Sequence, residues 1–262
     1  MLKSFMIFHV HCHAFSTFPI ILSAISHFHS KHFMTSPTTS RLITRSLEGA
    51  KRLFGSPSTP PKIITKDILR SLITLSFNAS VSFVTFWTVW CIAMEFYGLL
   101  RFSEVSNLQF SDLRWTDLGF DIFIRLSKTD QTGKGDWVAN ARQPDSPFCP
   151  VTLSERYLSL LGYTTGFIMP AIKHSRPDPS TPLSYNTALC DLQSVFCLIN
   201  LDPTGYGKHS SCRGGTTAAA SKGSTIDELM IQGRWRYESL PRLYTDNALK
   251  CKRKFAKRLA QL

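Results

Sequence analysis

Five side chains spread along 262 residues have the types and spacing that phosphoryl chemistry needs: Arg101, Lys128, His209, Trp235 and Tyr244. His209 opens the run HSSCRGGTTAAASKGSTIDELMIQGRWRYESLPRLY, which carries Gly233-Arg234-Trp235 and then Tyr244, nine residues beyond the tryptophan. Breaking a phosphodiester without a metal requires an in-line nucleophile, cations on the non-bridging oxygens and an acid for the leaving oxygen. A tyrosine hydroxyl serves the first need. An arginine fork matches phosphate bidentately and stays charged. A lysine on a flexible hairpin can reach the leaving oxygen and release a proton. Each residue also has an ordinary reading. Arg101 could be a surface partner of Glu104, Lys128 a solvated turn lysine, His209 a loop histidine and Trp235 a packing residue. Tyr237 competes with Tyr244 as the nucleophile.

Composition narrows the partner. Hydrophobic residues make up 43% of the chain, enough for a sizeable core, and the formal net charge is +12. Such a surplus points to a polyanion, either nucleic acid or an acidic membrane surface. No Asp or Glu precedes Glu48, and Lys250, Lys252, Arg253, Lys254, Lys257 and Arg258 crowd the tail. Seven scattered cysteines, odd in number and without a CxxC pair, indicate neither a disulfide framework nor a zinc knuckle and suit a reducing compartment. His9, His11, Cys12 and His13 form the one cluster with metal-ligand types, and it lacks a second paired cluster, so no metal is expected. The apolar start is broken by those histidines and shows no cleavage site for a signal peptide. Val81–Leu100 is long enough to cross a bilayer, yet Glu95 lies inside it and Arg101 follows, so a buried helix is expected and no membrane partner.

The elements that would position these residues can be read in outline. Apolar periodicity predicts helices within Pro19–Phe54 around a Ser/Thr/Pro turn at Thr35–Thr39. GSPSTPP at 55–61 reads as a linker, because adjacent prolines exclude helix. Thr65 suits an N-cap for a helix carrying Ile68, Leu69, Leu72 and Ile73. A turn or short helix begins at Ser103. Asp121–Leu126 alternates like a strand and Trp137-Val138 begins its return, a β-hairpin with Lys128 near the tip. Helices are expected at 151–162 and 184–199, from Gly214 to Ser221, at 225–232 behind a Ser224/Asp227 capping box, and at 247–260 as a basic amphipathic element.

Taken together, the boxes resemble the catalytic domain of the tyrosine recombinase (phage integrase) family, most of all those of eukaryotic mobile elements of the DIRS and crypton kind. YGLLRFSEVSNLQFSDL resembles the family's first arginine box, with Arg101 as the arginine and Glu104 and Leu108 at its structural positions. Lys128 matches the hairpin lysine, HSSCRGG an H-x-x-R box opened by His209, Trp235 the His/Trp position and Tyr244 the nucleophile. The resemblance covers about residues 62–250. It implies a mainly α fold with a small β-hairpin sheet, and a recombinase that breaks and rejoins DNA through a 3′-phosphotyrosyl intermediate. No metal, nucleotide cofactor or small-molecule substrate is implied. Double-stranded DNA is the implied partner, with homo-oligomers assembled on it, inside the cell and in the nucleus if the source is eukaryotic. Lys208, Arg234, Arg236 and Arg242, beside the boxes, are the expected DNA contacts.

Two departures qualify the resemblance. Cys212 stands where the family's second catalytic arginine belongs. The adjacent Arg213 would point about 100° away on a helix and cannot simply replace it. Residues 1–54 match only the last two helices of the family's DNA-clamping helical domain, followed by the linker at 55–61 and the catalytic domain at 62–262. A truncated element copy or an imperfect gene model would explain both. The alternative to an impaired enzyme is a catalytically inactive DNA-binding protein that keeps the fold.

Overall fold

A computed structural model describes residues 15–55, 61–128, 130, 133–174 and 176–245, without the side chains of 16 and 243–245. The histidine cluster at 9–13, most of the linker and the basic segment 247–260 lie outside the described residues. Internal contacts divide the chain into two units, Met1–Pro60 and Pro61–Leu262.

The first unit is a helical hairpin. α1 (Phe18–Lys31) and α2 (Arg41–Phe54) flank the Ser/Pro/Thr turn. Ser40 starts α2 by accepting a hydrogen bond from the Leu42 amide at 3.3 Å. Apolar residues four apart, Phe18 with Leu22 and Ile43 with Leu47, put one stripe on each helix, and these stripes with Phe15 form the small core.

The second unit is built round a helix that is apolar on every side. α3 (Lys66–Ser76) begins at Thr65, whose hydroxyl accepts from the Ile68 amide at 3.3 Å, and buries Leu69, Leu72, Ile73 and Ser76 along one stripe. α4 (Phe83–Tyr97) is capped by Ser82 and buries every residue from Thr85 to Phe96. A helix without a polar face needs neighbours all round it. α3, α5 (Phe102–Ser106), α6 (Pro150–Leu161), α7 (Tyr185–Leu198) and α8 (His209–Ser221) supply them. Trp90 and Thr88 find polar partners inside, Thr88 Oγ1 donating to the Val84 carbonyl at 2.8 Å. Trp90 Nε1 donates to Ser154 Oγ at 2.9 Å, and its ring stacks on Tyr157 with centroids 4.5 Å apart. Among the described residues no helix is long and apolar enough to cross a membrane.

The expected hairpin is one half of a three-stranded antiparallel meander, β1 (Leu113–Thr116), β2 (Gly119–Ile124) and β3 (Asp136–Ala141). Phe120, Ile122 and Ile124 alternate inward on β2, with Val138 on β3 beside them. A second antiparallel pair, β4 (Pro170–Lys173) and β5 (Arg176–Pro182), has no counterpart in the sequence expectations. α9 (Ile226–Gly233) does not begin with the anticipated Ser224/Asp227 box. Its cap is one residue later: Thr225 Oγ1 accepts from the Glu228 amide at 3.2 Å and Glu228 Oε2 accepts from the Thr225 amide at 2.7 Å. α10 (Ser239–Thr245) packs against α8 and α9.

α8 starts at His209, five residues before the expected Gly214, and crosses α4 at very short range. A Cβ on Gly214 would strike the Ile64 carbonyl, and one on Gly215 the Phe96 carbonyl. Backbone cannot yield as a side-chain tip can, so Gly215→Ala should cost about 1–3 kcal/mol, read as a lower urea midpoint. Gly49→Ala, with open space round an added Cβ inside α2, should instead hold or gain up to about 1 kcal/mol by helix propensity.

Below α8, Glu95 of α4 is fully buried. Burial holds its carboxyl up at about 7, against an ordinary 4.5, although the nearby Lys208 charge pulls it down. The folded state thus binds this proton more tightly than the unfolded chain. The contribution is fully present below about pH 4.5 and is lost as pH rises through about 7. Between pH 5 and 8, Glu95→Gln should therefore gain stability relative to the parent chain, by on the order of 3 kcal/mol in urea titrations.

Candidate functional site

The first arginine is delivered by a backbone turn. α4 ends at Tyr97, and Leu99 adopts the left-handed conformation, φ 51°, that non-glycine residues seldom take. The chain reverses there, and Arg101 becomes the N-cap of α5. Glu104, at the third position of α5, reaches back: Oε2 accepts from the Arg101 amide and Oε1 from Arg101 Nη1, both at 2.8 Å. The Glu104 side chain is only 1% exposed, so its charge needs partners.

The second partner is Arg234. Expected as a DNA contact, it lies buried, its Nη2 2.6 Å from Glu104 Oε2 and its Nη1 2.9 Å from the Gln232 carbonyl. It caps the C-terminus of α9 in the left-handed conformation, φ 53°. Gln232 docks that end of α9 on the sheet, its Nε2 donating to the Ala139 carbonyl at 3.1 Å. Lys208 is also not an exposed contact. It is buried at the start of α8 with Nζ 4.6 Å from the centre of the Phe102 ring, and its charge acts on Glu95 and Asp191. Two of the four anticipated DNA contacts are thus buried, and Arg234 pairs with a buried carboxylate, because an ion removed from water must be paired. Arg236 is exposed beside the Tyr237 ring, and Arg242 is exposed and bonded to Glu238 through Nε at 3.1 Å and Nη2 at 2.7 Å.

His209 is the first residue of α8 and is exposed. Partial burial lowers its pKa, and the positive charges of Arg101, Lys128 and Arg213 lower it further. The fields of those three cations favour the neutral imidazole, which can accept or donate. Lys128 reaches this group from the β2–β3 loop, where it is exposed. Two carboxylates hold that loop. Asp112 takes a bidentate fork from Arg125 (Nε 2.7 Å, Nη2 2.6 Å), and Asp130 accepts from the amides of Gly133 at 3.0 Å and Gly135 at 2.8 Å. Lys134 is a second lysine in the same loop. It helps line a cleft of about 770 Å³ whose far side is Met230, Arg234 and Trp235. The sequence reading passed over it, although its presence in the Lys128 loop was the available signal.

Cys212, one turn into α8, is buried against Leu99, Leu229 and Trp235, and its Sγ donates to the Leu99 carbonyl at 3.5 Å. Burial pushes the thiol up to about 12, with Glu95 adding to the shift, so it is uncharged. Arg213 turns elsewhere, its Nη1 donating to the Pro61 carbonyl at 2.6 Å. Trp235 is buried, and its indole lies so close over Gly233 that a Cβ there would meet the ring at 2.7 Å. Tyr244 belongs to α10, which packs on α8, and its side chain lies outside the described residues. Tyr237 is 63% exposed between α9 and α10. Among the described residues no group of three or more His, Cys, Asp or Glu is arranged to hold a metal ion.

No protein-family model matches the chain. An integrase/recombinase XerD homologue of Selenomonas ruminantium is 31% identical over 148 residues, 56% of this chain and 43% of the relative, so the match spans less than half of that protein. The fold is shared with solved structures. The XerH site-specific recombinase bound to difH substrate superposes with a TM-score of 0.57 at 12% identity, covering 93% of this chain and 70% of that one. XerA recombinase gives 0.56 at 15% identity, with 91% and 82% covered. The Tn1549 transposon integrase in complex with circular intermediate DNA gives 0.60 at 12%, with 92% and 78% covered. These likenesses at low identity establish the mostly helical fold with its small antiparallel sheets. The chain thus shares its fold with solved tyrosine recombinases and integrases, and part of its sequence is similar to that of the XerD homologue.

Proposed function

We propose that residues 61–245 form a catalytic domain that breaks and rejoins DNA through a 3′-phosphotyrosyl intermediate on Tyr244. The observation that carries this reading is that α8, which His209 opens, is bonded through Cys212 to the turn before Arg101 and packs against the helix that bears Tyr244. In the reaction the Tyr244 oxygen forms a bond to phosphorus while the bond to the 5′ oxygen breaks. The Lys128 ammonium gives that oxygen its proton, and His209 can take the proton of the phenol. Arg101 makes one side-chain bond to Glu104, and its other N–H groups suit a non-bridging oxygen. Ester exchange conserves the bond energy, so rejoining needs no nucleotide. Trp235 supports the pocket by packing on Cys212. Arg236 and Arg242, both exposed, remain suited to the DNA backbone. The first unit reads as a pair of helices from a DNA-clamping domain. If the chain is akin to the eukaryotic mobile-element enzymes, its place of work would be the nucleus.

One observation favours a second reading, a DNA-binding protein without the reaction: Cys212 brings neither charge nor a fork to a position that should grip phosphate. Incubation with a pool of nicked duplexes of randomised sequence, followed by denaturing gels, separates the two. The catalytic reading expects a covalent adduct that disappears in Tyr244→Phe, persists in Tyr237→Phe and falls about 10²–10³-fold in Arg101→Ala. DNA binding without any adduct, restored to cleavage by Cys212→Arg, would establish the second reading instead. An adduct surviving Tyr244→Phe would remove Tyr244 from its role.

A further inference from the structure

We infer that Arg234 is a positioning residue for the phosphate pocket, supplying from α9 the second guanidinium that position 212 lacks. The inference rests on the recombinase reading of this site and goes beyond it, since the resemblance assigns Arg234 no part in catalysis.

The geometry is specific. Glu104 offers two oxygens, and two different arginines take them. Arg101 Nη1 holds Oε1 at 2.8 Å, and Arg234 Nη2 holds Oε2 at 2.6 Å. A carboxylate facing a single arginine tends to chelate it as a bidentate fork, which turns the guanidinium toward the acid. With Oε2 committed to Arg234 and to the Arg101 amide, Arg101 makes only the single Nη1 bond with its side chain. Its remaining donors stay available to a phosphate. Two guanidinium charges against one carboxylate also leave the cluster positive, although the buried thiol at 212 contributes nothing.

Arg234 is held for this task. Its side chain is 4% exposed. Its backbone takes a left-handed conformation usually left to glycine or asparagine at a helix end. Its Nη1 is tied to the Gln232 carbonyl at 2.9 Å. The charges of Arg101, Glu104 and Arg234 all act on the Cys212 thiol, which holds the position where the family's arginine would stand. Trp235 follows directly in the chain and packs on Cys212. One ion pair therefore ties the first arginine box to the segment leading to Tyr244.

The test uses the full chain and a short duplex of arbitrary sequence, with affinity followed by fluorescence anisotropy as salt is raised. If Arg234 acts through Arg101, Arg234→Gln frees Glu104 to chelate Arg101 and withdraws one phosphate contact. The slope of log K against log salt should then shrink by about 0.9. Arg101→Gln should shrink it equally, the double variant no further, and Arg234→Lys should restore most of it. On the nicked pool, Arg234→Gln should lower the adduct yield about 10²–10³-fold, and adding Cys212→Arg should recover it. A merely structural role would move urea midpoints without this non-additivity or this rescue. Should Arg234→Gln fail to fold, the Arg234→Lys and Cys212→Arg/Arg234→Gln variants carry the same comparison. An unchanged slope in Arg234→Gln, or additive losses with Arg101→Gln, would overturn the inference. So would an adduct formed by Cys212→Arg alone but not by the parent chain. A parent chain that binds no duplex would instead overturn the recombinase reading, and this inference with it.

Discussion

The site depends on how closely α8 can lie on α4. Gly214 and Gly215 bring the backbone of α8 against the carbonyls of Ile64 and Phe96, a separation that any larger residue would prevent. That contact brings the start of α8, with His209 and Cys212, level with the end of α4. There the left-handed Leu99 turns the chain toward Arg101 and Glu104. The bond from Cys212 to the Leu99 carbonyl records the same proximity. A helix that is buried on all sides is a rigid reference, because every neighbour that covers it also fixes it. The catalytic candidates therefore come from distant parts of the sequence yet are held on one frame.

Charge inside the domain is organised as strictly as packing. Glu104 is shared by Arg101 and Arg234, and Glu95 lies in the field of Lys208, with the Ser211 hydroxyl facing it but closing no hydrogen bond of ordinary geometry. Each arrangement follows from the cost of removing an ion from water, which only a partner of opposite sign can offset. The surplus of +12 is consequently not all presented to a polyanion. Part of it neutralises buried acids under the site, while Lys128, Arg236 and Lys134 remain exposed round the pocket.

Much of the fold was legible because local rules and tertiary demands agree. Thr65 caps α3 as its type predicts, the apolar run before Arg101 forms a buried helix, and α6 and α7 fall within a residue of their expected bounds. The failures have physical causes. β5 carries Pro177, Pro179 and Pro182, residues that argue against a strand, and it survives as one member of a two-stranded pair. Ser224 and Thr225 are both plausible caps, and only the reach of Glu228 decides for Thr225. α8 begins at His209 behind Lys208, whose side chain offers no capping acceptor, so nothing local announces the start.

The sequence by itself supplied the candidates: an arginine in a helix-start box, a lysine in a hairpin loop, and a histidine, a tryptophan and a tyrosine in fixed order. It also marked Cys212 as the position out of pattern. It did not determine which basic residues face solvent. Lys208 and Arg234 read like their exposed neighbours, and only the folded chain shows them buried, Lys208 over the Phe102 ring and Arg234 paired with Glu104. Spacing along a helix or strand reports local direction, whereas the partner of a buried charge can lie more than a hundred residues away, as Glu104 does from Arg234. That partnership exists only once α5 and α9 have been packed together.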